Sequence, residues 1–159
     1  KTTRYTFEAP CVLAAILAGA PSEKAEDLAA VMEPLGLAFQ IQNDLMEFSH
    51  LDGRDQLLPT DLLEGKKTLL VREAYDRLGE TDRSFLQMCL HAPTRNDASI
   101  SKVQDLLRKS GALAAMQDRC ARLFQEAKDR LSRSHLQPQE QEAISQAIQW
   151  VRQSVRVSV

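Results

Sequence analysis

The sequence Leu-Gly-Leu-Ala-Phe-Gln-Ile-Gln-Asn-Asp-Leu-Met-Glu-Phe at residues 35–48 is the most informative part of this chain. Its oxygen-bearing side chains recur at intervals of three and four residues, so in a helix they share one face: Gln40, Asn43, Asp44 and Glu47. Its apolar residues form a separate stripe that can be buried: Leu37, Ile41, Leu45 and Phe48. This spacing predicts an amphipathic helix with an acidic polar face.

The polar face has two interpretations. Oxygen ligands suit a hard cation such as Mg²⁺, which binds proteins through one or two carboxylates together with substrate phosphates. The alternative is an ordinary solvated face, which is common on amphipathic helices. The spacing alone leaves both interpretations open.

Two further segments carry lysine beside a small hydroxyl residue. Gly65-Lys66-Lys67-Thr68 lies downstream of the acidic face, and Lys1-Thr2 opens the chain. Ammonium and hydroxyl groups both donate hydrogen bonds to phosphate oxygens, so these segments indicate phosphate-binding chemistry.

Together these segments resemble the trans-isoprenyl diphosphate synthases, the farnesyl and geranylgeranyl diphosphate synthase family. Residues 39–47 resemble its second aspartate-rich motif, Phe-Gln-x-x-Asp-Asp-x-x-Asp. Residues 61–69 are similar to its Asp-Leu-x-Glu-Gly-Lys-x-Thr-Leu segment, and Lys1-Thr2 with residues 5–10 resembles its Lys-Thr motif and the following helix. The three motifs occur in the family's order and cover the first 70 residues.

The resemblance implies an all-α fold, a helical bundle of the isoprenoid synthase type. Residues 1–159 would be the carboxyl-terminal half of a single domain, because the first aspartate-rich motif is absent and the chain starts at Lys1 without an initiator Met. The amino-terminal half of the same enzyme would then be an obligatory partner, and the chain alone would be unable to complete the active site. By analogy with the family, a homodimer is expected.

The activity implied by the resemblance is prenyl transfer. An allylic diphosphate ionises with the help of Mg²⁺ and is joined to isopentenyl diphosphate. One alternative is an atypical or catalytically inactive relative, either a regulatory subunit of a heteromeric synthase or a terpene-forming enzyme. Another is a helical interaction module whose motif matches are fortuitous.

The resemblance also assigns roles to individual residues. The metal ligands are Asn43, Asp44 and Glu47; the catalytic residues are Lys1, Thr2, Gln40 and Asp44; the diphosphate is bound by Lys1, Lys66 and Arg54. Asn43 and Glu47 depart from the family's aspartates, and Asn43 in particular removes a negative charge, so weaker metal binding or an altered activity is expected. Arg54 is displaced upstream of the position where the family carries a lysine. Lys67 is interpreted as a solvated lysine.

Composition agrees with a helical protein and excludes several classes. The 159 residues are 43% hydrophobic and only 5% aromatic, and the formal net charge of −2 argues against a nucleic-acid partner bound by charge alone. The longest apolar run, residues 9–20, is too short to span a bilayer and contains Pro10. Cys11, Cys89 and Cys120 are widely spaced and lie in apolar helical segments, which predicts reduced, buried thiols, and a cytoplasmic location is expected.

Breakers and caps predict the helix boundaries. The first helix should run from about residue 3 to 18 and end at Gly19, and a second should run to about residue 48 with a kink or short break at Pro34. A later helix is expected from Leu62, capped by Thr60 or Asp61. A last helix is expected with Pro138 in its first turn.

Overall fold

The computed structural model describes residues 3–49, 64–92 and 97–154, and within these ranges the ordered elements are all helical. A π-helical segment, Thr3–Glu8, leads into the first of the α-helices. The α-helices in these ranges are α1 (Ala9–Leu17), α2 (Ser22–Ser49), α3 (Leu69–Arg77), α4 (Glu80–His91), α5 (Asp97–Lys109), α6 (Ala112–Ser132) and α7 (Pro138–Ser154). The all-α prediction is therefore confirmed.

Several helix ends lie where the sequence predicted them. After α1, Gly19 adopts the left-handed backbone conformation with φ 70°, and the amides of Gly19 and Ala20 bond back to carbonyls of the helix. Pro138 occupies the first turn of α7, and the Glu140 carboxylate accepts the backbone N–H of Gln137 at 2.6 Å, one half of a capping box.

Helix α2 continues through Pro34, so of the predicted kink or short break, the break does not occur. A proline has no amide hydrogen, and the carbonyl of Ala30, four residues earlier, therefore lacks its helical donor. The guanidinium of Arg130, on α6, supplies a replacement, because its Nη1 donates to the Ala30 oxygen at 2.7 Å. Arg130 is held there by Glu33 at 3.0 Å and Glu126 at 2.6 Å.

The described residues separate into two compact units. The first comprises residues 3–42 and 119–154, and its core contains Val31, Leu35, Phe124 and Ile148. Within it α2 approaches the π-helical segment closely. A β-carbon added to Gly36 would lie 2.9 Å from both the Cα and the Cγ2 of Thr3.

The second unit comprises the described residues between 43 and 118. In it α5 packs against both α3 and α4. Its core includes Leu70, Leu86, Ile100 and Leu107, each at most 5% exposed.

Two of the cysteines, Cys89 and Cys120, are buried and Cys11 is half-buried, in line with the expectation of buried thiols. In the ranges that the structure covers, we find no helix with the length and apolar character needed to cross a bilayer.

Candidate functional site

Asp44 joins two of the sequence motifs inside the second unit. Its side chain on α2 is only 7% exposed, and its Oδ2 accepts a hydrogen bond from the backbone N–H of Leu69 at 3.2 Å. Leu69 is the first residue of α3 and directly follows the Gly65–Thr68 segment. A carboxylate at a helix N-terminus is stabilised by the unpaired amides there. The acidic helix and the lysine-bearing segment are thus neighbours.

The Gly65–Thr68 segment is not helical, so the prediction of a helix from Leu62 is wrong in its start. Helix α3 begins seven residues later at Leu69, and its N-cap is Thr68, whose Oγ1 accepts the N–H of Val71 at 3.3 Å. Gly65 has φ 67°, a conformation that other residues adopt only at a cost. The cap and the glycine together keep these residues out of the helix. Thr60 and Asp61 lie outside the described residues.

The two lysines of this segment are both exposed. Lys66 Nζ pairs with Glu64 at 2.8 Å, and both side chains are 53% exposed. An ion pair this exposed contributes little, so a phosphate can compete with Glu64 for the ammonium group. Lys67 borders a cleft of about 430 Å³, whose lining residues are Lys67, Thr68, Leu69, Val71, Arg72, Tyr75, Gln87, Leu90 and His91.

The remaining predicted site residues are placed as follows. Gln40 is half-buried in the first unit, one helical turn before Asp44, and Asn43 is half-buried in the second. Lys1, Thr2 and Arg54 lie outside the described residues, and so does the side chain of Glu47. Their roles stay predictions.

The donor chemistry fits a hard cation, although the described side chains supply few ligands. Asp44 offers a carboxylate and Asn43 an amide oxygen, both of the oxygen type that Mg²⁺ prefers. Where side chains are described, no cluster of three or more His, Cys, Asp or Glu residues could hold a metal ion. A cation at this face would therefore depend on ligands from a bound diphosphate, from water or from Glu47.

Two polar residues have structural roles that the sequence did not reveal. Gln42 is 6% exposed, and its Nε2 donates to the carbonyl of Arg152 in the last turn of α7 at 3.2 Å. Arg83 donates to the carbonyls of Tyr75 at 2.7 Å and Asp76 at 2.8 Å, which lie in the last turn of α3. Both contacts satisfy helix-end carbonyls, and no local sequence pattern identifies them.

Comparison with known proteins gives a consistent result. The family model for polyprenyl synthetases matches residues 1–107. The nonaprenyl diphosphate synthase of Mycobacterium tuberculosis is 31% identical over 121 residues, which are 76% of this chain and 36% of that protein. The chain thus spans about a third of the length of this relative.

Solved structures share the fold. A polyprenyl synthase from Caulobacter crescentus, complexed with calcium and isoprenyl diphosphate, is 27% identical with a TM-score of 0.74, covering 96% of this chain and 46% of that one. A geranylgeranyl pyrophosphate synthase from Corynebacterium glutamicum, complexed with isoprenyl diphosphate and magnesium, has a TM-score of 0.78 at 20% identity, covering 96% of this chain and 44% of that one. More than half of each solved relative therefore has no counterpart in this chain.

Proposed function

Because the chain belongs to the polyprenyl synthetase family, we propose that it forms part of a prenyltransferase that condenses an allylic diphosphate with isopentenyl diphosphate. The observation that carries the proposal is the hydrogen bond from Leu69 N–H to Asp44. This bond supports the proposal because the Asp44 carboxylate lies next to the end of the segment that contains Lys66, and a metal-bound diphosphate needs an oxygen ligand for the metal and a cationic group for the phosphates.

In this proposal the acidic face of α2 holds the cation and the lysines hold the substrate. Asn43, Asp44 and Glu47 would hold Mg²⁺, and the bound ion would offset the charge that builds on the departing diphosphate. Lys66, Lys1 and Arg54 would donate to diphosphate oxygens. Thr2 would contact the allylic diphosphate together with Lys1, facing the developing cation, and Gln40 would line the same cavity. Fixed donors and charges of this kind lower the barrier because they are already oriented when the bond breaks.

The amide side chain of Asn43 should change how the activity depends on the Mg²⁺ concentration. It replaces a carboxylate by a neutral amide oxygen, which is a weaker ligand for Mg²⁺. We expect half-maximal activity at a higher Mg²⁺ concentration than in the Asn43→Asp variant. The Mg²⁺ titrations of the two proteins, measured side by side, test this; coincident curves would show that the residue does not face the ion.

We further propose that residues 1–159 are the carboxyl-terminal half of a single domain and that the complete enzyme is a homodimer. The share of the solved relatives that the chain covers supports the first point. The amino-terminal half would supply the first aspartate-rich motif and the rest of the substrate cavity.

The test of function is chain extension by the complete enzyme, supplied with Mg²⁺, labelled isopentenyl diphosphate and a short allylic diphosphate. Asp44→Asn preserves the shape of the side chain and its ability to accept the Leu69 N–H, but removes the charge. We expect a loss of about 100- to 1000-fold in kcat. The control is Asp105→Asn, an exposed carboxylate in the same unit, which should leave the rate unchanged. Undiminished extension by Asp44→Asn would refute the proposal.

The lysines offer a matched pair for the substrate side of the site. Lys66→Ala should raise the KM for the diphosphate substrate about 10-fold or more, since a charge-assisted hydrogen bond contributes about 1.5–3 kcal/mol. Lys67→Ala removes the same charge one residue away and should change KM less than 2-fold. Equal effects of the two changes would mean that only the local charge matters, not a contact made by Lys66.

Asn43 also supports a second candidate, a relative that ionises a diphosphate without extending it or that acts as a regulatory subunit. The same assay separates these outcomes. Release of diphosphate from the allylic substrate alone indicates a terpene-forming enzyme. No reaction, combined with an altered product from a co-purified active synthase, indicates a regulatory subunit.

A further inference from the structure

The cleft that Lys67 borders lies between α3 and α4, inside the second unit, and we call it the α3–α4 cleft. Its volume of about 430 Å³ falls within the range of small-molecule binding sites. One wall comes from the first two turns of α3 and the residues just before it. The other wall comes from the end of α4, where Gln87, Leu90 and His91 share one face of the helix.

The charged side chains of the α3–α4 cleft are basic. Lys67 and Arg72 are both exposed, and none of the described residues that line the cleft is an aspartate or a glutamate. Arg72 bonds to Asp76 at 2.9 Å through Nε alone, in an exposed and therefore weak ion pair, so both of its Nη groups can donate to a ligand. His91 Nδ1 bonds to the Gln87 carbonyl at 2.8 Å, which leaves Nε2 as a further donor when the ring is protonated. The cleft therefore favours an anion.

Much of the remaining wall is apolar. Leu69, Val71 and Leu90 line the cleft together with Tyr75. A surface that packs against another helix normally excludes unpaired charges, because burying them costs hydration free energy. Basic groups beside an apolar wall instead match a small molecule that has an anionic head and an apolar body.

We propose that the α3–α4 cleft binds a free amphipathic phosphate, that is, a phosphate ester with an apolar chain. A phosphate monoester carries a charge of about −1.5 to −2 at pH 7, which the two fixed charges of Lys67 and Arg72 match. The guanidinium group can donate two parallel hydrogen bonds to phosphate oxygens. The chain would be buried against Leu69 and Leu90.

This site differs from the one that the proposed function uses. Lys66 is not among the described residues that line the cleft, and its ammonium group pairs with Glu64 at 2.8 Å. The inference therefore goes beyond the proposed function and does not depend on it.

Isothermal titration calorimetry of the complete enzyme tests the proposal, with decyl phosphate below its micellar concentration as the probe and without Mg²⁺. Lys67→Ala and Arg72→Ala should each raise Kd about 5-fold, and the double variant about 25-fold, since single contacts to exposed charges are modest. Arg77→Ala is the matched control, because it removes the same charge from α3 outside the cleft, and it should change Kd less than about 2-fold. Circular dichroism verifies that each variant is folded.

Two further probes test the chemistry of the ligand. Inorganic phosphate lacks the apolar chain, and decanoate carries only one charge. Each should bind at least about 10-fold more weakly than decyl phosphate. Equal affinity for inorganic phosphate would overturn the proposal, because the apolar wall would then contribute nothing, and equal affinity for decanoate would overturn the preference for phosphate.

The location of the site is tested by the same titrations. A Kd that rises in Lys66→Ala but not in Arg72→Ala would place the probe in the proposed active site and overturn the proposal. Binding to phosphatidate vesicles without affinity for soluble decyl phosphate would overturn it in favour of a membrane surface. The titrations involve no turnover, so the proposal can fail while chain extension succeeds, and the reverse.

Discussion

Replacing Arg130 by alanine should destabilise the first unit by about 2–3 kcal/mol. The reason is Pro34, which leaves the Ala30 carbonyl without a helical donor and makes the 2.7 Å bond from Arg130 its substitute. A hydrogen bond from a charged donor contributes about 1.5–3 kcal/mol. The ion pairs with Glu33 and Glu126 are partly exposed and add only a few tenths each. For a chain of this size the melting temperature should fall by roughly 4–10 °C.

Urea unfolding measures the loss, and two variants isolate its cause. Arg133→Ala is the matched control, one residue after the end of the same helix, because its Nε donates to an exposed carbonyl, that of Asp129, at 3.0 Å. It should cost less than about 0.5 kcal/mol. Pro34→Ala gives α2 back an amide hydrogen that can bond to Ala30. In that background Arg130→Ala should cost about 1 kcal/mol or less.

The double-mutant cycle therefore predicts a coupling energy of about 1–2 kcal/mol between positions 34 and 130. If Arg130→Ala lowers the free energy of unfolding equally with proline or alanine at position 34, the stabilising effect of Arg130 does not come from its bond to the Ala30 carbonyl. If Arg133→Ala costs as much as Arg130→Ala, the loss reflects helix surface charge and the reasoning fails.

Three further changes follow from the structure. Gly36→Ala should destabilise the protein by about 1–3 kcal/mol in chemical unfolding, because the added β-carbon would collide with the π-helical segment, and this outweighs the helix preference of alanine. The control is Gly79→Ala, whose β-carbon would have no atom within 4 Å and which should cost less than about 1 kcal/mol. Burial raises the pKa of the Cys120 thiol to about 11, so the unfolded chain, whose thiol ionises near pH 9, gains relative stability above that pH. The wild type should therefore lose about 2–3 kcal/mol relative to Cys120→Ala between pH 9 and 11, and parallel curves for the two proteins would exclude this. Arg83→Ala should cost about 1–2 kcal/mol and speed amide exchange in α3, whereas Arg72→Ala, which removes only an exposed ion pair, should do neither.

Local sequence rules predicted several helix ends, but they did not predict where the structure departs from those rules. Gly19 and Pro138 are placed as the local rules require, since a left-handed glycine and a first-turn proline need no help from elsewhere. By the same rules Pro34 should kink or briefly break α2. The substitute donor for the Ala30 carbonyl comes from Arg130, a hundred residues away, and no local pattern reveals such a contact.

In the candidate site, too, sequence motifs indicated some features, whereas contacts between distant residues could not be predicted. The motif resemblance correctly identified the family, and the structure places Asp44 beside the segment that contains Lys66. The predicted start of α3 was wrong because residues 65–68 are not helical and Thr68 caps the helix that begins at Leu69. The sequence gives no indication of the role of Gln42, whose Nε2 donates to a carbonyl of α7, because that contact depends on the packing of helices that are distant in sequence.

Helix α3 has nine residues, fewer than the 12–15 that a peptide needs to be even marginally helical in water. Its first amide is held by Asp44 and its final carbonyls by Arg83, and neither residue belongs to it. A synthetic peptide of residues 64–77 should consequently be unstructured and should not reproduce the conformation of the Gly65–Thr68 segment. A residue that replaces Asp44 must therefore accept the Leu69 N–H, which organises this segment, and also bind the ligand of the carboxylate. Few side chains can do both, so few substitutions at position 44 should be tolerated.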